Sequence, residues 1–293
     1  MTGVPLVAAA VCPHPPLIVP ALAGAAAGEL DDLRAACDAA VAGLYASGAR
    51  TVVVVGGGDR TADLSHPFRG SFAPWGLPLE VRLDAPPGDP TGTRSDGDVG
   101  AQPAGAGPDV GVGPDGGAEA GDLPLSLLVG AWLLRRSSPA RSRPDAGTNA
   151  DAGPGAGAGA GADEITWRMA IVAPDAPTGE CAALGAGYRY DGDWALLVMG
   201  DGSACRGPKS PGYDDPRAEA YDEGVARALA GADAEALLGL DPVLSARLKV
   251  AGRAPWQVLA GAVRAAGGDW RGELSHSSAP YGVSYFVANW VRA

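Results

Sequence analysis

The chain has 293 residues, of which 45 are glycine and 26 proline, while 46% are hydrophobic and seven are tryptophan. That much glycine and proline is close to the level at which non-periodic chains carry disordered tracts, yet there is enough apolar material for a core. A net charge of −12, with no basic run longer than Arg135-Arg136, argues against binding nucleic acid or an anionic membrane, and three histidines bound any imidazole chemistry.

The four cysteines, Cys12, Cys37, Cys181 and Cys205, are widely spaced with no CxxC pair, so no disulfide framework is expected. The N-terminal apolar run lacks a basic segment and is soon interrupted by prolines, which reads as a strand rather than a signal peptide. No stretch approaches the ~18–20 apolar residues of a membrane span, and a cytoplasmic location is expected.

In chain order, Val4 to Val11 reads as a buried strand. Glu29 to Ser47 places Leu30, Leu33, Cys37, Val41 and Leu44 at helical spacing, with Gly48 as the stop. Thr51 to Val55 is a β-branched strand that runs into Gly56-Gly57-Gly58, and Leu79 to Leu83 is another strand. The segments at about 84–121 and 137–162 have no aromatic residue and no hydrophobic periodicity. Both are expected to be disordered inserts. Between them Asp122 to Leu134 reads as a buried helix with Asp122 as its N-cap.

Beyond the inserts, Trp167 to Ala173 and Trp194 to Met199 are buried strands. Helices follow from Pro216, at Ala234 to Leu238, at Pro242 to Lys249 and at Trp256 to Ala266. Two strands, Trp270 to Ser275 and Val283 to Asn289, close the chain around a Pro280-Tyr281-Gly282 turn. This alternation predicts an α/β fold: one domain over residues 1–293, with a central, largely parallel or mixed sheet and helices on both faces.

The glycine-rich exit at Gly56 to Asp59 lacks GxGxxG, and Asp59 and Asp63 would repel a pyrophosphate, so no dinucleotide site is expected there. Neither a phosphate-loop sequence nor a GxSxG elbow occurs. The informative segment is Pro13-His14-Pro15-Pro16, directly after the first strand. Ligands in such sheets gather at the carboxyl ends of strands, and the flanking prolines stiffen the loop that carries the imidazole.

Three segments, PHPP at the start, GDGSACRGPKSPGYDDPRAEAYD after the strand ending at Met199, and LSHSSAPYGVSYFVANW at the end, occur in that order. With the intervening GADAEALLGLDP (Gly231 to Pro242), the chain resembles the class III extradiol ring-cleavage dioxygenase superfamily. The resemblance spans most of the chain outside the inserts. It implies non-haem Fe(II) held by two histidines and a glutamate, a further histidine as acid/base, a catechol-like substrate and assembly as a homodimer or with a second chain.

Position by position, His14 matches the first iron ligand. The second falls on Gly58 or Asp59, with His66 several residues further on. The acid/base histidine falls on Ala204, and the carboxylate ligand on Val250. One of four functional side chains is retained. The expected reading is therefore a non-catalytic relative without a metal cofactor, keeping a cleft for a small aromatic molecule or a partner, with His14, Gly58, Asp59, Asp201, Ser203, Ala204 and His276 around it. The alternative is an active Fe(II) enzyme with a relocated centre, in which His14, His66 and a carboxylate such as Asp201 converge. A third reading makes the chain a scaffold whose inserts contact partners.

Overall fold

A computed structural model describes residues 6–83, 122–138 and 165–293. The two expected inserts, apart from Ser137 and Ser138, lie outside those residues.

The first strand, β1, runs over Leu6–Cys12; a short helix α1 (Pro20–Ala23) and a 3-10 turn lead into α2 (Asp31–Ala46). The run of valines forms β2 (Thr51–Gly57), and β3 (Ala62–Leu64), β4 (Phe68–Ser71) and β5 (Glu80–Leu83) follow. Helix α3 (Leu125–Arg136) precedes β6 (Thr166–Val172), α4 (Thr178–Ala186) and β7 (Trp194–Met199). The remainder is α5 (Arg217–Ala230), α6 (Ala234–Leu238), α7 (Pro242–Arg247), α8 (Arg253–Ala266), β8 (Trp270–Ser278) and β9 (Tyr285–Arg292).

Seven strands form one sheet in the order β3-β6-β2-β7-β1-β9-β8, and β4 pairs with β5 in a separate two-stranded sheet. The central strands β6, β2, β7 and β1 are mutually parallel, whereas β3, β9 and β8 join in antiparallel pairs. The expected mixed α/β sheet is thus present. Apart from an irregularity at Val7 and Ala8 in β1, its central strands alternate between two cores, as the two-residue side-chain period requires. Ala10, Cys12, Val54 and Leu197 face α2 and α3, while Val11, Val53, Val55 and Leu196 face α4, α5 and α8. Burial on both faces explains why these strands read as continuous apolar runs rather than alternating ones.

Helix α4 has no counterpart among the elements expected from sequence. Its sequence TGECAALGA carries two glycines, a composition that signals helix weakly. Gly185 is there for contact: a Cβ at this position would collide with the Val258 carbonyl oxygen on α8, and one at Gly261 would collide with that of Ala182. The two helices therefore cross backbone to backbone. Strands β3 and β4 are also additions to the expected elements, because three or four residues are too few to display a period. Asp122 is not a cap: α3 begins after Pro124 with no side-chain capping bond. Among the described residues no helix is long and apolar enough to cross a membrane.

Candidate functional site at the carboxyl edge of the sheet

Because β6, β2, β7 and β1 run parallel, their carboxyl ends share one edge of the sheet, the place where open α/β sheets hold ligands. Strand β7 lies between β1 and β2, so the loops carrying His14, Gly58 and Asp201 are neighbours. The Gly200 N–H donates to the Cys12 carbonyl at 3.0 Å and continues the ladder one residue past the strands.

His14 and Asp201 meet. The His14 main-chain N–H donates to Asp201 Oδ1 at 2.8 Å, and imidazole Nδ1 lies 3.6 Å from the same oxygen. Both side chains are largely buried, and His14 Nδ1 has no hydrogen-bond partner. Tyr285, buried at the start of β9, completes this corner. Desolvation first, and then the Asp201 charge, raise its phenol pKa far above the ordinary value, so it remains protonated.

The loop after β7 is pinned on both sides. Gly202 N–H donates to the Ser284 carbonyl (2.7 Å) and Ser284 N–H to that of Ser203 (2.9 Å). On the other side Ala204 N–H donates to the Leu248 carbonyl (2.9 Å) and Gly252 N–H to that of Asp201 (2.8 Å). Gly200 and Gly252 approach so closely that a Cβ at Gly200 would stand 2.5 Å from Gly252 Cα. Backbone therefore fills the space above β7.

Asp222 on α5 organises the same loop from below. Its Oδ1 accepts the Ser203 N–H (2.9 Å), and its Oδ2 accepts the hydroxyls of Ser203 (2.5 Å) and Ser284 (2.6 Å). Arg206 stands 3.6 Å away and offsets its charge. Ser203 is thereby committed to Asp222. Asp222 is not among the residues expected from sequence, although a signal is present. Ala218, Asp222, Val225 and Leu229 form the buried stripe of α5, and a carboxylate in such a stripe requires partners.

The other expected site residues are elsewhere or inert. Gly58 packs against Ile171, whose Cβ a methyl here would meet at 2.7 Å, and Asp59 is exposed and paired with Arg60 at 3.1 Å. Ala204 offers only its main chain, and Val250 is a buried aliphatic group. Cys205 is buried, with its thiol directed at the carbonyls of Gly212 (3.4 Å) and Leu248 (3.5 Å), and burial raises its pKa. His276 lies on β8, two strands from β1; its Nε2 is 2.7 Å from Ser278 Oγ, and desolvation lowers its pKa while Asp32 acts in the opposite direction.

His66 is not at this edge. Its Nε2 is 3.1 Å from the carbonyl oxygen of Trp167, the second residue of β6, and its ring packs on Phe68. Trp167 pairs with Val52, Val52 with Ala195 and Ala195 with Ala8, six residues before His14. Six residues at ~3.3 Å and three strand spacings of ~4.8 Å separate the two histidines by roughly 20–25 Å. They cannot share one ion at bond lengths of ~2 Å. Among the described residues no group of three or more His, Cys, Asp or Glu side chains is placed to hold a metal. The residues present therefore do not fit the mononuclear iron that the family resemblance implies.

A groove of about 800 Å³ opens beside this edge. It is lined by Pro174 and Asp175 after β6, by α7 from Pro242 to Arg247, and by Lys249, Val250 and Ala251. Ala251 is also the residue whose carbonyl oxygen stands over the end of β2, 3.8 Å from where a Cβ on Gly57 would be.

No family model matches the chain. No curated protein matches it either. Among solved structures it is similar to an uncharacterized protein from Escherichia coli K12, at 12% identity and a TM-score of 0.46, over 97% of this chain and 99% of that one.

Proposed function

We propose that the chain is a non-catalytic relative of the class III extradiol dioxygenases, which binds a small molecule at the carboxyl edge of its sheet and does not cleave rings. The observation that carries this reading is the fate of the four positions where the family places its functional groups. His14 is the only side-chain donor among them, with its main-chain N–H bound to Asp201, while Gly58, Ala204 and Val250 supply no side-chain donor. Loss of an acid/base group alone removes a contribution usually worth ~10²–10⁴ in rate. The groove beside Val250 has the size and apolar lining of a small-molecule site.

The test is anaerobic loading of the full chain with Fe(II), metal analysis after desalting, and oxygen uptake over a panel of catechols. Less than about one iron in ten chains and no uptake above buffer are expected. Stoichiometric iron with turnover that His14→Ala abolishes would overturn the proposal.

A further inference from the structure

We infer that the groove along α7 takes an aliphatic carboxylate, with its chain on the apolar lining and its head group between Arg247 and Lys249. This rests on the small-molecule reading above and specifies its ligand class.

The lining has two parts of different chemistry. Its apolar part is made of small aliphatic groups, Pro174, Pro242, Val243, Ala246, Val250 and Ala251. Among the described residues no aromatic side chain lines it, so these offer a flat ring no stacking partner, whereas a flexible alkyl chain needs only aliphatic surface. Val243 is 62% exposed, so its aliphatic surface is open to a ligand.

The polar part is cationic in a strongly acidic protein. Arg247 ends α7, and Lys249 follows two residues later in the left-handed region (φ 54°), a turn that brings Lys249 and then Val250 to the same groove. Among the described residues neither cation makes an ion pair or a side-chain hydrogen bond. Arg247 acts on the Asp215 carboxylate only through space, and Arg217 already holds both oxygens of that carboxylate, at 2.9 and 2.6 Å. The carboxylate in the lining is Asp175, from the loop after β6, which disfavours an anionic head at that side and directs it to the α7 side. Two cations that have no ion-pair partner among the described residues, set beside an aliphatic surface, complement one anionic head on an alkyl tail.

The experiment titrates octanoate and octanol, each kept below its aggregation concentration, into the full chain by calorimetry at low salt. The same titrations are made with Arg247→Ala/Lys249→Ala and with Ala246→Trp, all three proteins being matched first for unfolding midpoint. Octanoate is expected to bind the unaltered chain at least about tenfold more tightly than octanol, to lose about tenfold or more in the double variant, and to be blocked by Ala246→Trp. Equal affinity for the acid and the alcohol, or an octanoate affinity that the double variant leaves unchanged, overturns the inference. Octanol or a catechol bound and blocked by Ala246→Trp, with octanoate silent, overturns the carboxylate and leaves the small-molecule reading standing. Failure of octanoate, octanol and catechols alike overturns both.

Discussion

The His14 main-chain N–H donates to the Asp201 carboxylate at 2.8 Å, which ties the loop after β1 to the loop after β7 across two adjacent parallel strands. A charge-assisted bond of this kind contributes on the order of 1–3 kcal/mol, because its loss strands a buried donor. Asp201→Ala is expected to lower unfolding free energy by about that amount in urea titration. Asp201→Asn keeps an acceptor oxygen and should cost clearly less. Equal losses for the two variants would show that the bond is not what stabilises the corner.

Asp222 accepts one main-chain and two hydroxyl donors within the core and has Arg206 alongside. Removing it orphans every one of them, so Asp222→Ala should cost about 3–5 kcal/mol, the range for breaking a buried charged network. Ser284→Ala, which removes one of three bonds, should cost about 1 kcal/mol. Thermal and urea unfolding would check the ratio. A loss for Asp222→Ala no larger than for Ser284→Ala would contradict the organising role given to Asp222.

His14 and His66 stand at opposite ends of the sheet, one beside Asp201 and the other beside the Trp167 carbonyl. Groups so far apart contribute to stability independently, within about 0.5 kcal/mol. In a double-mutant cycle of His14→Ala and His66→Ala, with and without added Fe(II), the two losses are expected to add. A coupling energy above about 1 kcal/mol that appears only with the metal would place both on one ion and revive a relocated centre.

The ordered framework was legible because burial on both faces of a parallel sheet writes long apolar runs into β2, β6 and β7, and because apolar residues at helical spacing bounded by breakers, Gly48 after α2 and Pro216 before α5, mark the two helices. What escaped was set by contact rather than by pattern. Helix α4 is built around Gly185, which propensity counts against a helix but the α8 backbone requires. At the site, His14 and Asp201 follow from strand-end logic, and the structure brings them together. His66 could not be placed from sequence, since nothing in SHPFRG says that β3 turns the chain back along β6 toward the opposite edge. Arg247 and Lys249 carried no signal, because a cation lining a groove looks in sequence like any solvated one.

The backbone contact between Gly200 and Gly252 closes the space above β7 and leaves no room for a side chain on Gly200, while one on Gly252 would collide with the Trp256 ring. Gly200→Ala would force the 249–252 segment, with Lys249, Val250 and Ala251 of the groove lining, away from the sheet. Overpacking of this kind typically costs about 1–3 kcal/mol. The variant is therefore expected to be destabilised by that amount and to show faster amide exchange at 249–252. Unchanged exchange there, with normal stability, would mean that the loop accommodates the methyl without moving.

Tyr221 on α5 links that helix to α7 through its hydroxyl, 2.7 Å from Ser245 Oγ. Desolvation, the dominant cause, raises its pKa to about 12 from 10.0, with the Ser245 bond acting the other way. The unfolded chain loses this proton near pH 10, whereas the folded chain holds it until about pH 12, so in that window the folded state binds more protons. The stabilisation is fully present below about pH 10 and is lost as pH rises toward 12, with a total on the order of 2 kcal/mol. Other buried tyrosines add to the alkaline slope, so the difference between the unaltered chain and Tyr221→Phe is the informative quantity. That difference in urea stability is expected to be constant from about pH 7 to 9 and to move in favour of Tyr221→Phe between about pH 10 and 11.5, as α7 loosens in the unaltered chain. A difference that stays flat to about pH 11.5 would show that Tyr221 is solvated and that its hydroxyl does not hold the α7 wall of the groove.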